Sequence, residues 1–361
     1  MNSKKRFEMI SRYQKADRFP IDYLAHFHTD KKLKKHFGIE SEVELLDILG
    51  TDFYYLPCRD ISQNEGFMKY YKGPKLDVSD HERTCAFGIR WHRKVYDHKF
   101  SVDEVIAGPL ENAETEKDIL NYRWPKTSDF EFSDLNKECE QNLNRVIVGG
   151  LWTGIMGDSY RLHGFQNFLL NMAMNPELIK CLIDKVTDVY LELNDTVFSA
   201  LKGKLDVWFF GNDFGSQNGL LFSRDMWNEF FYENIKKLTS LAHSYRVNVM
   251  MHSCGAISEI IPDLINAGVD ILDPVQVTAK GMEPGSIADR FGGKIIFHGG
   301  IDTQQVLPTA SPDQVFEHAK LVSETLGKGN GYIFAPSQSL GPDIPVENII
   351  AMYKAGGAFN G

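Results

Sequence analysis

Eight short apolar runs, each followed by a polar or glycine-rich loop and then by a helical pattern, constrain the fold of this 361-residue chain more than any other feature. They are Phe19–Phe27, Asp52–Pro57, Arg145–Leu151, Asp206–Phe210, Val247–Met251, Asp270–Leu272, Lys294–Phe297 and Gly331–Ala335. Unbroken apolar stretches such as Val207-Trp208-Phe209-Phe210 suit parallel strands covered on both faces, whereas a half-exposed strand would alternate. Between the runs lie helical patterns. Asn175–Lys202 opens at Asn-Pro and repeats Leu178, Leu182, Val186 and Tyr190. Ser223 caps a helix reaching about Tyr245, and Ser311-Pro312 starts one ending near Gly327. Strand–helix alternation with short connections predicts a (β/α)8 TIM barrel, with an open doubly wound sheet as the alternative. The rhythm breaks from about 61 to 128, around Phe87-Gly88-Ile89-Arg90-Trp91-His92, which reads as a cap inserted over the mouth of one domain spanning 1–361. Its aromatic residues would either pack a substrate or act as a hydrophobic seal.

Composition narrows the function classes. A formal charge of -10 supplies no basic stripe for a phosphate backbone, so nucleic acid is not expected as a partner. No apolar run is long enough to span a bilayer and no secretory leader pattern is present, so a soluble cytoplasmic enzyme is expected. Five irregularly spaced cysteines fit a reducing compartment better than a disulfide framework. Neither a phosphate-cradling Gly-rich loop after a strand nor a Gly-x-Ser-x-Gly elbow occurs.

In a barrel of this kind the residues following each strand converge on one mouth. Here they include His26 and His28, Cys58, Trp152, Asn212 and Asp213, Gln217, His252 and Cys254, Asp273 and Gln276, His298 and Asp302, and Ser337-Gln338-Ser339. His252 and Cys254 stand two residues apart where a strand should end. Imidazole and thiolate both suit zinc, whose catalytic sites use three protein ligands and one open position. The competing reading is a strand-end histidine bonded to a carbonyl beside a small packed cysteine. Asp213 fits a general acid/base or orienting role, or plain turn chemistry. His298-Gly299-Gly300 and Asp302 fit a ligand-approach loop, or a turn and a helix cap. Cys58, Cys85, Cys139 and Cys181 each read singly as packing residues, and of these only Cys58 follows an expected strand.

Several segments together resemble the uroporphyrinogen decarboxylase superfamily. They are Ala16-Asp17-Arg18-Phe19-Pro20, Asn212-Asp213-Phe214-Gly215-Ser216-Gln217-Asn218-Gly219, His252-Ser253-Cys254-Gly255-Ala256-Ile257, Ala267–Gln276, Phe297-His298-Gly299-Gly300-Ile301-Asp302 and Asp343–Ile349. The resemblance covers nearly the whole chain and implies a (β/α)8 barrel. Decarboxylases of that superfamily carry an arginine-rich N-terminal segment, where this chain reads Asp22-Tyr23-Leu24-Ala25-His26-Phe27-His28. The His-x-Cys-Gly motif instead resembles the corrinoid-dependent methyltransferase branch. That likeness implies zinc on His252 and Cys254, with Gln338 where the thiol-methylating members place a last cysteine. Cys58, Asp213 or His298 are other candidates to complete the set.

The expected activity is demethylation of a methoxylated or otherwise methylated small molecule, with the methyl group passed to a cobalt(I) corrinoid on a separate protein. Asp213, His298 and Asp302 would be the catalytic residues, and His252, Cys254 and Gln338 the metal-binding ones. Methyl transfer from methylcobamide to a thiol, decarboxylation of a polycarboxylate such as uroporphyrinogen, and a barrel kept as a binding subunit are the alternatives.

Overall fold

The computed structural model describes residues 1–57, 70–79, 81–97 and 100–359. Its strands are β1 (Phe53–Tyr55), β2 (Glu82–Thr84), β3 (Arg90–Asp97), β4 (Phe100–Ala107), β5 (Val146–Gly149), β6 (Val207–Gly211), β7 (Asn248–His252), β8 (Ile271–Asp273), β9 (Ile296–His298) and β10 (Tyr332–Ile333). Seven of them form one parallel sheet in the order β1-β5-β6-β7-β8-β9-β10. Sequential neighbours joined through helices give the α/β barrel architecture.

The first expected strand is a correction. Phe19–Phe27 makes only isolated parallel bridges, Ile21 with Phe334 and Ala25 with Leu340. Pro20 has no N–H to give a ladder, and the run ends early because Phe27 opens the helix Phe27–Phe37, which His26 caps. The segment still joins the two edges of the sheet. Ile21 O accepts from Asp52 N at 2.7 Å beside β1, while Asp22 N donates to Phe334 O at 2.9 Å just past β10. It therefore serves as the eighth stave without being a regular strand.

Alternation along each strand divides the core in two. Val146, Val148, Val207, Phe209, Met250, Ile271, Ile296 and Ile333 fill the barrel interior together with Phe7 and Ile10 of the helix Ser3–Ser11. Ile147, Trp208, Phe210, Met251, Leu272 and Phe297 face the surrounding helices. The Ser3–Ser11 helix lies at the N-terminal ends of the strands, where Arg6 pairs with buried Asp52 just before β1 and Lys4 pairs with Asp206 just before β6. The opposite end, where the strands point, is left for chemistry.

The expected helices occur at Pro176–Leu201 and Pro312–Leu326. The one capped by Ser223 is interrupted by a π-helical turn over Asn228–Tyr232 before resuming as Glu233–Ser244. Within the 61–128 interval, β2, β3 and β4 form an antiparallel sheet. Phe87 packs on Tyr190 at 5.5 Å between ring centres, and the Arg161 guanidinium lies over Trp91. Both aromatics are buried against the barrel's helices. Among the described residues, no helix is long and apolar enough to cross a membrane.

Candidate active site

Parallel register sets the ends of three strands side by side. Gly211 pairs with His252, and His252 with Asp273. A Cβ on Gly211 would lie 2.3 Å from His252 O, so only glycine allows β6 to approach β7 this closely. The loop after β7 is pinned from both sides. Phe214 N donates to Ser253 Oγ at 3.1 Å, Ala256 N to Ser216 O at 2.8 Å, and Gly255 N to Gln276 Oε1 at 2.8 Å. Gly255 has φ of 92° and a Cβ there would meet the Gly215 backbone at 2.4 Å. Gly255→Ala is expected to lose about 2 kcal/mol of stability through left-handed strain and this clash. Thermal unfolding would show it, and an unchanged midpoint would mean that the two loops separate without cost.

Five side chains form a row of alternating acids and imidazoles. Asp22 Oδ2 lies 2.9 Å from His298 Nε2, and both side chains are only 1% exposed. His298 Nδ1 is 2.6 Å from Asp273 Oδ1, off the line of a hydrogen bond but in charge contact. Asp273 Oδ2 in turn sits 2.6 Å from His252 Nδ1, and His252 Nε2 is 3.3 Å from Asp213 Oδ1. Tyr55 donates its hydroxyl to Asp22, which fixes the deep end. Burial alone would push both imidazoles down. Contacts with carboxylates outweigh it, raising His298 to about 9 and His252 well above its ordinary value. Burial would likewise raise the acids, yet the histidines pull Asp273 below the usual range and Asp213 down to about 2.

The row ends in a cluster at the mouth. Cys254 Sγ is 3.3 Å from His252 Nε2 and receives the Gln338 side-chain amide at 2.5 Å. Cys254 N donates to Asp213 Oδ1 at 3.0 Å. One ligand atom each from Asp213, His252 and Cys254 lies within 4.8 Å of the others, a mixed oxygen, nitrogen and sulfur set. Such a set fits a tetrahedral zinc with one position open. Asp273 on His252 Nδ1 also supplies the outer carboxylate that fixes a ligating imidazole's tautomer.

Beside the cluster opens a cavity of about 320 Å³. Trp152, Tyr160, Phe165, Phe168 and Phe222 form the aromatic part of its wall, and Asn212, Asp213 and His252 its polar end. Trp152 stands 5.7 Å from the His252 ring. Arg161, also on the wall, is held by Asp158 at 3.0 Å.

The structure thus brings together Asp213, His252, Cys254 and Gln338. Gln338 presents its side-chain nitrogen to the sulfur. His298 stands one carboxylate further in, with Asp22 and Asp273 against its two nitrogens. Asp302 lies apart, its Oδ1 accepting from Gln304 N at 2.7 Å and Gln305 N at 3.1 Å as a local cap. Cys58 lies outside the described residues. Asp22 carries no motif in the sequence; its only signal is a carboxylate within a largely apolar stave.

Residues 136–358 match the uroporphyrinogen decarboxylase (URO-D) family. The chain is also 23% identical over 219 residues to a uroporphyrinogen decarboxylase of Magnetococcus marinus. That match takes in 57% of this chain and 56% of that protein, little more than half the relative's length. A methyltransferase from Methanosarcina mazei shares the fold across 100% of both chains, with a TM-score of 0.64 at 15% identity.

Proposed function

The chain belongs to the uroporphyrinogen decarboxylase family, and on that basis we propose that it is a methyltransferase that demethylates a methoxylated or otherwise methylated small molecule. The acceptor is a cobalt(I) corrinoid carried by a separate protein. One observation carries this reading: Asp213, His252 and Cys254 converge at the polar end of an aromatic cavity. The likeness in fold to the Methanosarcina methyltransferase agrees with it. Decarboxylation of a polycarboxylate is less well served. Asp22–His28 contains no arginine, and the one arginine among the described cavity residues, Arg161, is already held by Asp158.

Asp213, His252 and Cys254 would hold zinc, which when bound supplies a Lewis acid that polarises the substrate oxygen. The residues around it prepare the site. Asp273 engages His252 Nδ1 and so turns Nε2 toward the mouth. Gln338 donates to the Cys254 sulfur and holds it beside His252. The aromatic wall excludes water from the ether and presents its methyl group to the opening. In the reaction the C–O bond breaks with its electron pair left on oxygen, the methyl group passes to the corrinoid, and the oxygen takes up a proton. The setting is cytoplasmic, where the thiol stays reduced, and one barrel with its inserted sheet is the working unit.

The test is to incubate zinc-reconstituted protein with methoxybenzene and cob(I)alamin under anaerobic conditions. Phenol and methylated corrinoid should accumulate in equal amounts and only with the protein present. Release of carbon dioxide from a porphyrinogen without corrinoid, with no methyl transfer, would replace this reading with decarboxylation.

A further inference from the structure

Asp273 stands between two imidazoles. Its Oδ2 lies 2.6 Å from Nδ1 of His252, and its Oδ1 lies 2.6 Å from Nδ1 of His298. The torsion that turns a carboxylate about its Cβ–Cγ bond has broad minima, so a contact on one oxygen leaves the plane loose and a second on the other oxygen fixes it. His298 therefore bears on His252 through Asp273.

His298 is itself anchored. Its Nε2 donates to Asp22 Oδ2 at 2.9 Å, and both side chains are 1% exposed. Asp22 is held at each of its polar atoms. Its Oδ1 accepts from Tyr23 N at 2.8 Å, and its Oδ2 accepts from the Tyr55 hydroxyl as well as from His298. Its carbonyl accepts from the Tyr353 hydroxyl at 3.0 Å, and its N donates to Phe334 O at 2.9 Å. A buried group satisfied in this way does not shift without leaving several partners unmade. The segment that carries Asp22 is the irregular eighth stave, which lies across β10 from β9 and its His298. Closure of the barrel thus ties the stave to the strand end that carries His252.

We propose that Asp22 and His298 are positioning residues for the metal site: they clamp Asp273, which holds His252 with Nε2 toward Asp213 and Cys254. The clamp rests on the metal-site reading above and adds to it two residues that are not ligands. Its consequence is tighter zinc binding, because His252 then spends no binding energy on being oriented.

The test is competition for zinc between metal-free full-length protein and a chromophoric chelator of known affinity. Asp22→Asn and His298→Asn are each expected to weaken zinc binding by about tenfold, the lower end of what loss of an outer partner of a metal ligand costs. Arg6→Met controls for lost stability. Arg6 also pairs with a buried acid, Asp52, but at the opposite end of the barrel. That variant should bind zinc within about twofold of wild type, since distant sites act independently. Tyr55→Phe takes one donor from Asp22 and keeps every charge, so it decides the matter where the first two variants fail to fold; a loss of about threefold is expected. Affinity within about twofold of wild type in every folded clamp variant, or an equal loss in Arg6→Met, would overturn the proposal. Wild type that binds no zinc would sink the metal site itself and the clamp with it, whereas tight zinc binding indifferent to these substitutions would sink the clamp alone.

Discussion

Cys254→Ala is expected to lower kcat/KM for methyl transfer by at least about a thousandfold while leaving the melting temperature within a few degrees of wild type. Cys254 sits on a loop at the mouth and is partly exposed, so its loss opens no core cavity. It does take the sulfur from a three-atom cluster, leaving only Asp213 and His252. Catalytic zinc sites use three protein ligands. Lewis-acid stabilisation of the oxygen is worth several kcal/mol, and about 4 kcal/mol corresponds to about a thousandfold in rate. Cys254→Ser should not rescue activity, because a neutral hydroxyl is a far poorer ligand than thiolate. Steady-state kinetics beside circular dichroism would separate chemistry from folding. Turnover within about tenfold of wild type would mean that the sulfur takes no part.

His298→Asn is expected to have the largest effect on stability, a loss of about 3–5 kcal/mol. The imidazole stands between Asp22 and Asp273, and removing it leaves two buried carboxylates without the cation they share. The same contact predicts a pH dependence. His298 titrates near 9 in the folded chain, above the ordinary 6.5, so its contribution is complete below 6.5 and is lost as pH rises through 9. That gap is worth about 3 kcal/mol. Denaturant unfolding from pH 6 to 10 should show wild-type stability falling across this window, with a correspondingly flatter profile for the variant. The same slope in both proteins would assign it to other groups.

How much of this was legible in the sequence follows from what each residue does. Seven strands could be read because their side chains are buried on both faces, which leaves continuous apolar text. The eighth stave could not be bounded, because Pro20 breaks its ladder and Phe27 already belongs to a helix. His252 and Cys254 were visible because a chemically active pair at a strand end is unusual composition. The approach of Asp213 to them depends on contacts around Gly211 and Gly255 that no local pattern announces. Asp22 and His298 are separated by 276 positions, and only barrel closure makes them neighbours. The break in rhythm between 61 and 128 coincides with the antiparallel sheet of β2, β3 and β4. Within that interval, Phe87 packs on Tyr190 and Trp91 lies against Arg161, contacts that depend on three-dimensional packing.

The central claim is that Asp213, His252 and Cys254 form one metal site beside the cavity. It is tested most directly by zinc content together with X-ray absorption at the zinc edge, on protein purified without chelators and reconstituted with zinc. The account predicts one zinc per chain with one sulfur neighbour and the rest nitrogen or oxygen, and loss of the metal in His252→Ala and in Cys254→Ala. Wild type that retains no zinc, or zinc that persists in both variants, would contradict it.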